Sequence, residues 1–145
     1  MNYLLIGQPN VGKSSIYNLI TDYNDNIIHK DAGTTRDWHK SNIKNTNNIF
    51  IYDTPGLLID KNEKIFLNQN FIKQLIKNID KFIYVIDYQK IDNIIDKPSI
   101  SKLRKFNKDI ILVFNKFDNF NINPSASINS FGIDSFYLIS CSHNR

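Results

Sequence analysis

The sequence predicts an α/β fold in which a mostly parallel β-sheet carries helices on both faces. Four short runs are apolar at nearly every position, as is typical of parallel strands buried on both sides. Helix-length segments with apolar residues three to four positions apart lie between them, so strands and helices alternate as in βαβ units. The predicted strands are residues 3–6, 49–52, 82–86 and 110–114, and the predicted helices are residues 14–20, 66–79 and 100–106.

Three weaker elements complete the prediction. Residues 41–44 are expected to form an edge strand that pairs antiparallel with residues 49–52. A weak helix near residues 124–131 precedes a final short strand at residues 136–139. The sequence ends soon after that strand, where a doubly wound sheet usually has another covering helix. We therefore expect one domain over residues 1–145, truncated at its C-terminus.

Composition limits the classes of protein that are compatible with the chain. With 145 residues and 41% hydrophobic residues, the chain can bury one core. Its net charge of +4 would suit an anionic partner such as RNA, although abundant Asn, Lys and Ile could raise the charge without forming a binding surface. A single cysteine, Cys141, argues against a disulfide and a cysteine zinc site. Nothing therefore calls for an oxidising compartment, and we expect a cytoplasmic protein. No apolar stretch approaches the ~20 residues of a membrane span.

The segment Gly7-Gln8-Pro9-Asn10-Val11-Gly12-Lys13-Ser14 matches the phosphate-binding pattern G-x-x-x-x-G-K-S. It lies between the first predicted strand and the first predicted helix, which disfavours the alternative of a simple glycine-rich turn. Backbone N–H groups of residues 10–15 would surround a β-phosphate at the positive end of the helix. Lys13 would neutralise phosphate charge, and the Ser14 hydroxyl would bind Mg²⁺.

Asp53-Thr54-Pro55-Gly56 follows the second apolar run. Asp53 therefore lies at the carboxyl end of a strand, where open α/β sheets bind their ligands. We expect Asp53 to hold the Mg²⁺ shell and the Gly56 N–H to sense a γ-phosphate. Alone this motif is an ordinary turn, but beside a phosphate-binding loop it predicts a switch.

A polar stretch at residues 33–37 could reach the nucleotide as a mobile loop. Thr35 is the expected ligand of Mg²⁺ and the γ-phosphate, and Thr34 is the alternative. Ordering of this loop by the γ-phosphate and Mg²⁺, and its release on hydrolysis, is the expected switch.

Asn115-Lys116-Phe117-Asp118 follows the last long apolar run and predicts base selection. The Asp118 carboxylate can accept hydrogen bonds from both N1–H and the exocyclic amine of guanine, a pair of donors that adenine lacks in that arrangement. Asn115 would pin the loop and the base, and the Lys116 stem would cover one face of the ring.

Ser140-Cys141-Ser142 follows the last predicted strand. A small residue there would let a backbone N–H approach the guanine O6. Cys141 is therefore interpreted as a small loop residue and not as a nucleophile. The histidines show no metal-ligand spacing.

Taken in order, these motifs resemble the translation-factor-related P-loop GTPases of the Era, TrmE and EngA group, and most of all the first G domain of the Der (EngA) family. The resemblance spans nearly the whole chain. It is carried by the phosphate-binding loop, by Thr35-Arg36-Asp37, and by the ending from Phe131-Gly132-Ile133-Asp134-Ser135-Phe136-Tyr137 to Ser140-Cys141-Ser142-His143. Der proteins usually have D-T-G-G in place of Asp53-Thr54-Pro55-Gly56, and they carry a second G domain and a KH-like domain.

The resemblance implies the Ras-like G-domain fold of P-loop NTPases. It also implies a GTPase that converts GTP to GDP and phosphate in assembly of the large ribosomal subunit, with rRNA and ribosomal protein as partners. GTP or GDP, Mg²⁺ and K⁺ are the expected ligands. We expect a monomer with neither a membrane nor a DNA partner.

Leu57 stands where Ras-type enzymes have a glutamine that orients the attacking water, so intrinsic hydrolysis should be slow. With asparagine at the Asn10 position, the chain is similar to K⁺-stimulated GTPases, in which that side chain helps to hold a monovalent cation, so the resemblance implies that Asn10 is a K⁺ ligand. Three alternatives remain open: a GTP-gated binding module with negligible hydrolysis, an Era-like or TrmE-like GTPase acting on other RNA, and a P-loop ATPase, which the segment Asn115 to Asp118 disfavours.

Three sets of site residues follow. The catalytic candidates are Asn10, Lys13, Thr35, Asp53 and Gly56, and the metal candidates are Ser14, Thr35 and Asp53. The nucleotide-binding candidates are Gly7, Asn10, Val11, Gly12, Lys13, Ser14, Ser15, Thr35, Asp53, Thr54, Pro55, Gly56, Asn115, Lys116, Asp118, Ser140, Cys141 and Ser142.

Overall fold

A computed structural model of the chain describes residues 1–21, 27–30, 37–53, 70–121, 123–124 and 126–143. The strands in these ranges are β1 (Asn2–Gly7), β2 (Ile27–Lys30), β3 (Asp37–Asn42), β4 (Phe50–Asp53), β5 (Lys81–Asp87), β6 (Asp109–Asn115) and β7 (Phe136–Leu138). The α-helices are α1 (Lys13–Ile20), α2 (Asn70–Lys77) and α3 (Asn93–Arg104). Short 3-10 helices lie at Tyr88–Lys90, Ala126–Phe131 and Cys141–His143.

The strands form one seven-stranded sheet in the order β2-β3-β4-β1-β5-β6-β7. From β4 to β7 the neighbouring strands are parallel, whereas β2 and β3 form an antiparallel pair and β3 joins β4 antiparallel. All parallel strands therefore end at the same edge of the sheet, and the loops that follow them meet there. The predicted α/β fold with a mostly parallel sheet is confirmed.

Both faces of the sheet carry packed apolar side chains. Leu75, Ile76 and Ile79, from α2 and the turn after it, pack on one face together with Ile100 and Leu103 of α3. On the other face, the α1 side chains pack against residues of β1, β4, β5 and β6. Each side chain that is fully buried in this way contributes about 1.5–3 kcal/mol through the hydrophobic effect. This packing fixes where the strands end, and so where the loops of the site begin.

Two sequence predictions are corrected by the strands at one side of the sheet. The strand expected at residues 41–44 is β3, which begins earlier, at Asp37, and is not an edge strand because β2 pairs along its outer side. Asp37, which was assigned to a loop, therefore lies in a strand. The signal for β2 was weak because its four residues include two polar ones.

The helices also differ from prediction in their bounds. Helix α3 begins well before residue 100, at Asn93, because the Asp92 side chain accepts hydrogen bonds from the N–H groups of Ile94 and Ile95 and so caps the helix. The helix predicted for residues 66–79 corresponds to α2, but residues 66–69 lie outside the described residues. The weak helix near residues 124–131 is a 3-10 helix. Within the described ranges, no helix combines the length and apolar character needed to traverse a bilayer.

Candidate nucleotide-binding site

A cavity of about 770 Å³ opens where the loops after β1, β5, β6 and β7 meet. It is lined by Pro9, Asn10, Gly12, Lys13, Ser14, Ser15, Gln89, Asn115, Lys116, Asp118, Cys141 and Ser142. All but Pro9 and Gln89 of these residues were predicted from sequence motifs. The fold therefore brings together the phosphate-binding and base-selecting motifs, which lie more than a hundred residues apart in the chain.

The phosphate-binding loop has the backbone that its glycines allow. Gly12 caps α1 with φ 97° and ψ 24°, and a side chain there would collide with Asn115 Nδ2. Asn10 has φ 62°, a left-handed conformation that asparagine tolerates better than most residues. The first N–H groups of a helix have no intrahelical partner, so those of α1 are available to an anion at this end.

Lys13 is buried at the start of α1, and its ammonium group lies within the phosphate-binding loop. Its Nζ donates hydrogen bonds to the Gly7 carbonyl at 3.0 Å and to the Gln8 carbonyl at 2.7 Å. Burial lowers the pKa of Lys13, and the negative charge of Asp53 opposes that shift. A bound phosphate would supply the counter-charge that two carbonyl groups only partly provide.

The phosphate-binding loop is also held by a buried carboxylate of α3, Asp96, which the motifs did not predict. Asp96 of α3 accepts a hydrogen bond from Gln8 Nε2 at 2.9 Å and another from the Tyr84 hydroxyl at 2.9 Å. Burial raises the pKa of Asp96, and these two hydrogen bonds act against that rise. The Gln8 carbonyl accepts a hydrogen bond from Lys13 Nζ. By holding the Gln8 side chain, Asp96 therefore helps to position the carbonyl that binds the lysine.

Ser14 and Asp53 meet beside the start of α1. The Ser14 hydroxyl donates to Asp53 Oδ2 at 3.4 Å, and Asp53 is buried at the end of β4. Oxygen ligands of this kind, one hydroxyl and one carboxylate next to a phosphate-binding loop, fit Mg²⁺, which prefers few protein ligands together with phosphates and water. The donor set present in the structure is therefore suited to that ion.

Asn115 connects three loops. Its Nδ2 donates to the Val11 carbonyl at 3.0 Å, and its Oδ1 accepts from the Cys141 N–H at 3.2 Å. The sequence predicted that Asn115 would help to pin the loop and the base, and in the structure its amide holds the phosphate-binding loop and the loop after β7. The Cys141 N–H, which lies in the segment expected to approach the guanine O6, is engaged with this amide.

Asp118 is held by hydroxyl groups from the loop after β7. Its Oδ1 accepts from Ser140 Oγ at 2.6 Å and from Ser142 Oγ at 3.3 Å. Ser140 is fully buried, so this contact fixes one side of the carboxylate. The two serines of the predicted segment therefore orient the predicted base-selecting residue.

Lys116 spans the cavity wall. Its Nζ forms an ion pair with Asp87 at 2.6 Å and donates to the Asn10 carbonyl at 2.9 Å. Its own φ of 64° is unusual for a lysine and is held by these contacts. The expected role of covering one face of a base is compatible with a stem that crosses the cavity wall in this way.

The structure does not describe every residue of the predicted site. Thr34, Thr35, Thr54, Pro55, Gly56 and Leu57 lie outside the described residues. Conversely, Asp87 and Gln89 contribute to the site but belong to no motif. Only their position in the sequence could have indicated this role, since both follow the carboxyl end of a predicted parallel strand. Burial raises the pKa of the Cys141 thiol, which agrees with the interpretation of this residue as unreactive.

Comparisons with known proteins give relatives for this chain. Residues 2–116 match the sequence model of a family described as 50S ribosome-binding GTPase. The protein named GTPase Der from Nitratiruptor sp. is 35% identical over 97% of this chain, and the one from Legionella pneumophila is 33% identical over 96%. The chain spans 31% and 30% of the length of these two relatives.

Solved structures show the same fold. An NFeoB variant from S. thermophilus bound to GDP superposes with a TM-score of 0.74 over 99% of this chain and 57% of that one, at 19% identity. An Era variant from Aquifex aeolicus bound to GDP and aluminium fluoride has a TM-score of 0.65 over 97% of this chain and 50% of that one, at 25% identity. With the family match covering most of the sequence, the chain belongs to the P-loop GTPase family described as 50S ribosome-binding GTPases.

Proposed function

We propose that this chain is a G domain that binds guanine nucleotides, hydrolyses GTP to GDP and phosphate, and changes conformation between the two states. The observation that carries the proposal is one cavity lined both by the phosphate-binding loop and by Asp118, whose carboxylate is held in place by Ser140 and Ser142. A phosphate site alone would fit many nucleotides. The carboxylate beside it favours guanine.

The chain's own groups account for phosphate binding. The N–H groups at the start of α1 would bind the β-phosphate, and Lys13 would exchange its carbonyl partners for phosphate oxygens. Such an exchange is favourable because a hydrogen bond between two charged groups is stronger than one between an ammonium and a neutral carbonyl. The lowered pKa of Lys13 would then return towards its ordinary value.

Ser14 and Asp53 would hold Mg²⁺, with Thr35 as the proposed switch ligand and Thr34 as its alternative. When bound, the ion neutralises charge on the β- and γ-phosphates and so stabilises the transferring phosphoryl group. We also propose that the Gly56 N–H senses the γ-phosphate. Thr54 and Pro55 would adjoin the nucleotide in the same segment.

Hydrolysis should be slow without assistance. Leu57 cannot orient a water molecule, so a rate at or below about 10⁻⁴ per second, the scale of unassisted small GTPases, is expected. We propose that a K⁺ ion held in part by the Asn10 side chain supplies the missing positive charge. Asn10 lines the cavity beside the phosphate-binding residues, which supports that role.

The K⁺ proposal is tested by removing the Asn10 side chain. Asn10→Gly is preferable to Asn10→Ala because glycine adopts the φ of 62° without steric cost. GTP turnover of both proteins is measured in KCl and in NaCl at equal ionic strength. We expect K⁺ stimulation in the unmodified chain and none in the variant, with GDP affinity retained; equal stimulation of both proteins would refute the role.

The wider role is proposed from the family. The chain would act in the cytoplasm in assembly of the large ribosomal subunit, as a single G domain over residues 1–145 and as a monomer, with rRNA and ribosomal protein as partners. The relatives named GTPase Der and the family description support this proposal. Binding of the GTP-loaded and GDP-loaded chain to purified large subunits tests it, and equal binding in both states would contradict a nucleotide-switched factor.

The first experiment is Mg²⁺-dependent binding of a fluorescent GDP analogue, competed separately with GTP and ATP. Displacement by GTP but not by ATP supports the guanine site. Equal displacement by both would favour a P-loop ATPase instead.

A second candidate function is a GTP-gated binding module, which Leu57 favours because it removes the water-orienting side chain. Single-turnover hydrolysis with K⁺ and with large subunits present separates the two. GTP that stays intact under both conditions would favour the module. An Era-like or TrmE-like GTPase acting on other RNA would bind such RNA in place of the subunit.

A further inference from the structure

Asp118 receives a hydrogen bond on its second oxygen from a residue outside every motif. Gln89 Nε2 donates to Asp118 Oδ2 at 3.0 Å, opposite the serine contacts on Oδ1. The same nitrogen donates to the Lys116 carbonyl at 3.3 Å. A primary amide carries two N–H bonds, so one nitrogen can satisfy both acceptors. Gln89 thus bridges the turn that presents the base-selecting carboxylate.

The backbone of Gln89 is itself fixed. Asp87 Oδ1 accepts from the Gln89 N–H at 3.0 Å, and Asp87 Oδ2 pairs with Lys116 Nζ at 2.6 Å. The sheet register sets Asp87 beside Asn115, so the ends of β5 and β6 deliver these groups to one place. The short 3-10 helix Tyr88–Lys90 is therefore tied to the base-selecting loop by its main chain and by its side chain.

We infer that Gln89 is a positioning residue for guanine selection: it fixes the orientation of the Asp118 carboxylate so that both oxygens can meet the two donors of guanine. This inference rests on the proposed function. Guanine recognition by a carboxylate is bidentate, and a rotation of the carboxylate plane breaks the second hydrogen bond. Ser140 and Ser142 donate to Oδ1, and Gln89 donates to Oδ2.

The inference makes a base-specific prediction. Inosine diphosphate lacks the exocyclic amine, so it needs one carboxylate oxygen, whereas GDP needs both. Loss of the Gln89 amide should weaken GDP binding roughly five- to tenfold, in line with a hydrogen bond to a charged group at an exposed position. It should weaken inosine diphosphate binding by less, so the ratio of the two affinities falls. Pyrophosphate, which has no base, should bind unchanged.

The experiment compares the full chain with Gln89→Ala and with the matched control Lys90→Ala. Lys90 is exposed on the same 3-10 helix and does not line the cavity. Dissociation constants for GDP, ADP, inosine diphosphate and pyrophosphate are measured by calorimetry, with thermal melting as a check on folding. We expect the preference for GDP over inosine diphosphate to be lower in Gln89→Ala and unchanged in Lys90→Ala.

A double-mutant cycle with Asp118→Ala tests whether Gln89 acts through the carboxylate. In that background Gln89→Ala should have no further effect on GDP affinity. An unchanged GDP preference in the single variant would overturn the inference, and so would tighter GDP binding, which would mean that Gln89 competes with the base. Failure of the unmodified chain to prefer GDP to ADP would refute the proposed function and the inference together, whereas the other outcomes refute the inference alone.

Discussion

Replacing Gly12 with alanine tests how closely the base-selecting loop approaches the phosphate-binding loop. Gly12 has φ 97°, and a Cβ there would collide with Asn115 Nδ2. That nitrogen donates to the buried Val11 carbonyl at 3.0 Å. The substitution therefore strains the backbone and displaces the amide that joins the two loops.

The loss of folding stability is the sum of two contributions, the backbone strain at residue 12 and the lost hydrogen bond to the Val11 carbonyl. A non-glycine residue in this backbone region costs about 1–2 kcal/mol. Leaving a buried carbonyl without its donor costs about 1–3 kcal/mol. The free energy of unfolding should thus fall by about 2–5 kcal/mol, which lowers the melting temperature by roughly 4–20 °C for a domain of this size. GDP affinity should fall as well, because Gly12 lines the cavity.

Gly132→Ala is the matched control. Gly132 also has a positive φ, 62°, but a Cβ there would meet Arg104 Nη2 at 3.5 Å, an ordinary contact. Its expected cost is the backbone term alone, about 1–2 kcal/mol. Urea denaturation and thermal melting of both variants measure the difference. If Gly12→Ala were no less stable than Gly132→Ala, the argument from the Asn115 contact would be wrong.

Three further predictions concern titrating groups. Burial raises the pKa of Asp96, so the folded chain holds this proton to higher pH than the unfolded chain, and stability should decline as pH rises from about 4 through the raised pKa. Asp96→Asn should remove that part of the pH dependence in urea denaturation, and an unchanged slope would contradict the assignment. Burial lowers the pKa of Lys13, so GDP affinity should fall as pH rises towards the ordinary lysine value of 10.5, and calorimetry should show weaker pH dependence in Lys13→Met. Burial raises the pKa of the Cys141 thiol, so iodoacetamide should modify it more slowly than free cysteine, and more slowly still with saturating GDP. Mass spectrometry reads this directly, and unchanged labelling with GDP would argue that the nucleotide lies elsewhere.

The parallel strands were predictable because burial on both faces demands apolar residues at almost every position. β5 and β6 satisfy that demand along most of their length. β2 has two polar residues among four, and its pairing depends on a partner distant in sequence, so local pattern did not reveal it. The start of α3 was missed because Pro98 lies inside the helix and because Asp96, a polar residue, occupies one of its buried positions.

The site was predictable where chemistry is local and unpredictable where it depends on which loops meet. Lys13 and Asp118 belong to motifs whose spacing, together with their place after predicted strands, indicates a phosphate and a base. The Asn115 amide serves two other loops, and that arrangement follows from the sheet order. Gln89 has no local pattern at all, and only the pairing of β5 with β6 brings it to Asp118.

The Asn115 amide has a consequence for how the site could evolve or be redesigned. Because it is bonded to the Val11 carbonyl and to the Cys141 N–H, the ends of the cavity that would receive phosphate and base share one side chain. Loss of this amide would therefore weaken phosphate binding and disturb base selection together. Asp118 and Gln89 contact each other on the base side of the cavity, so substitutions there offer the route by which the preferred base could change while phosphate binding is kept.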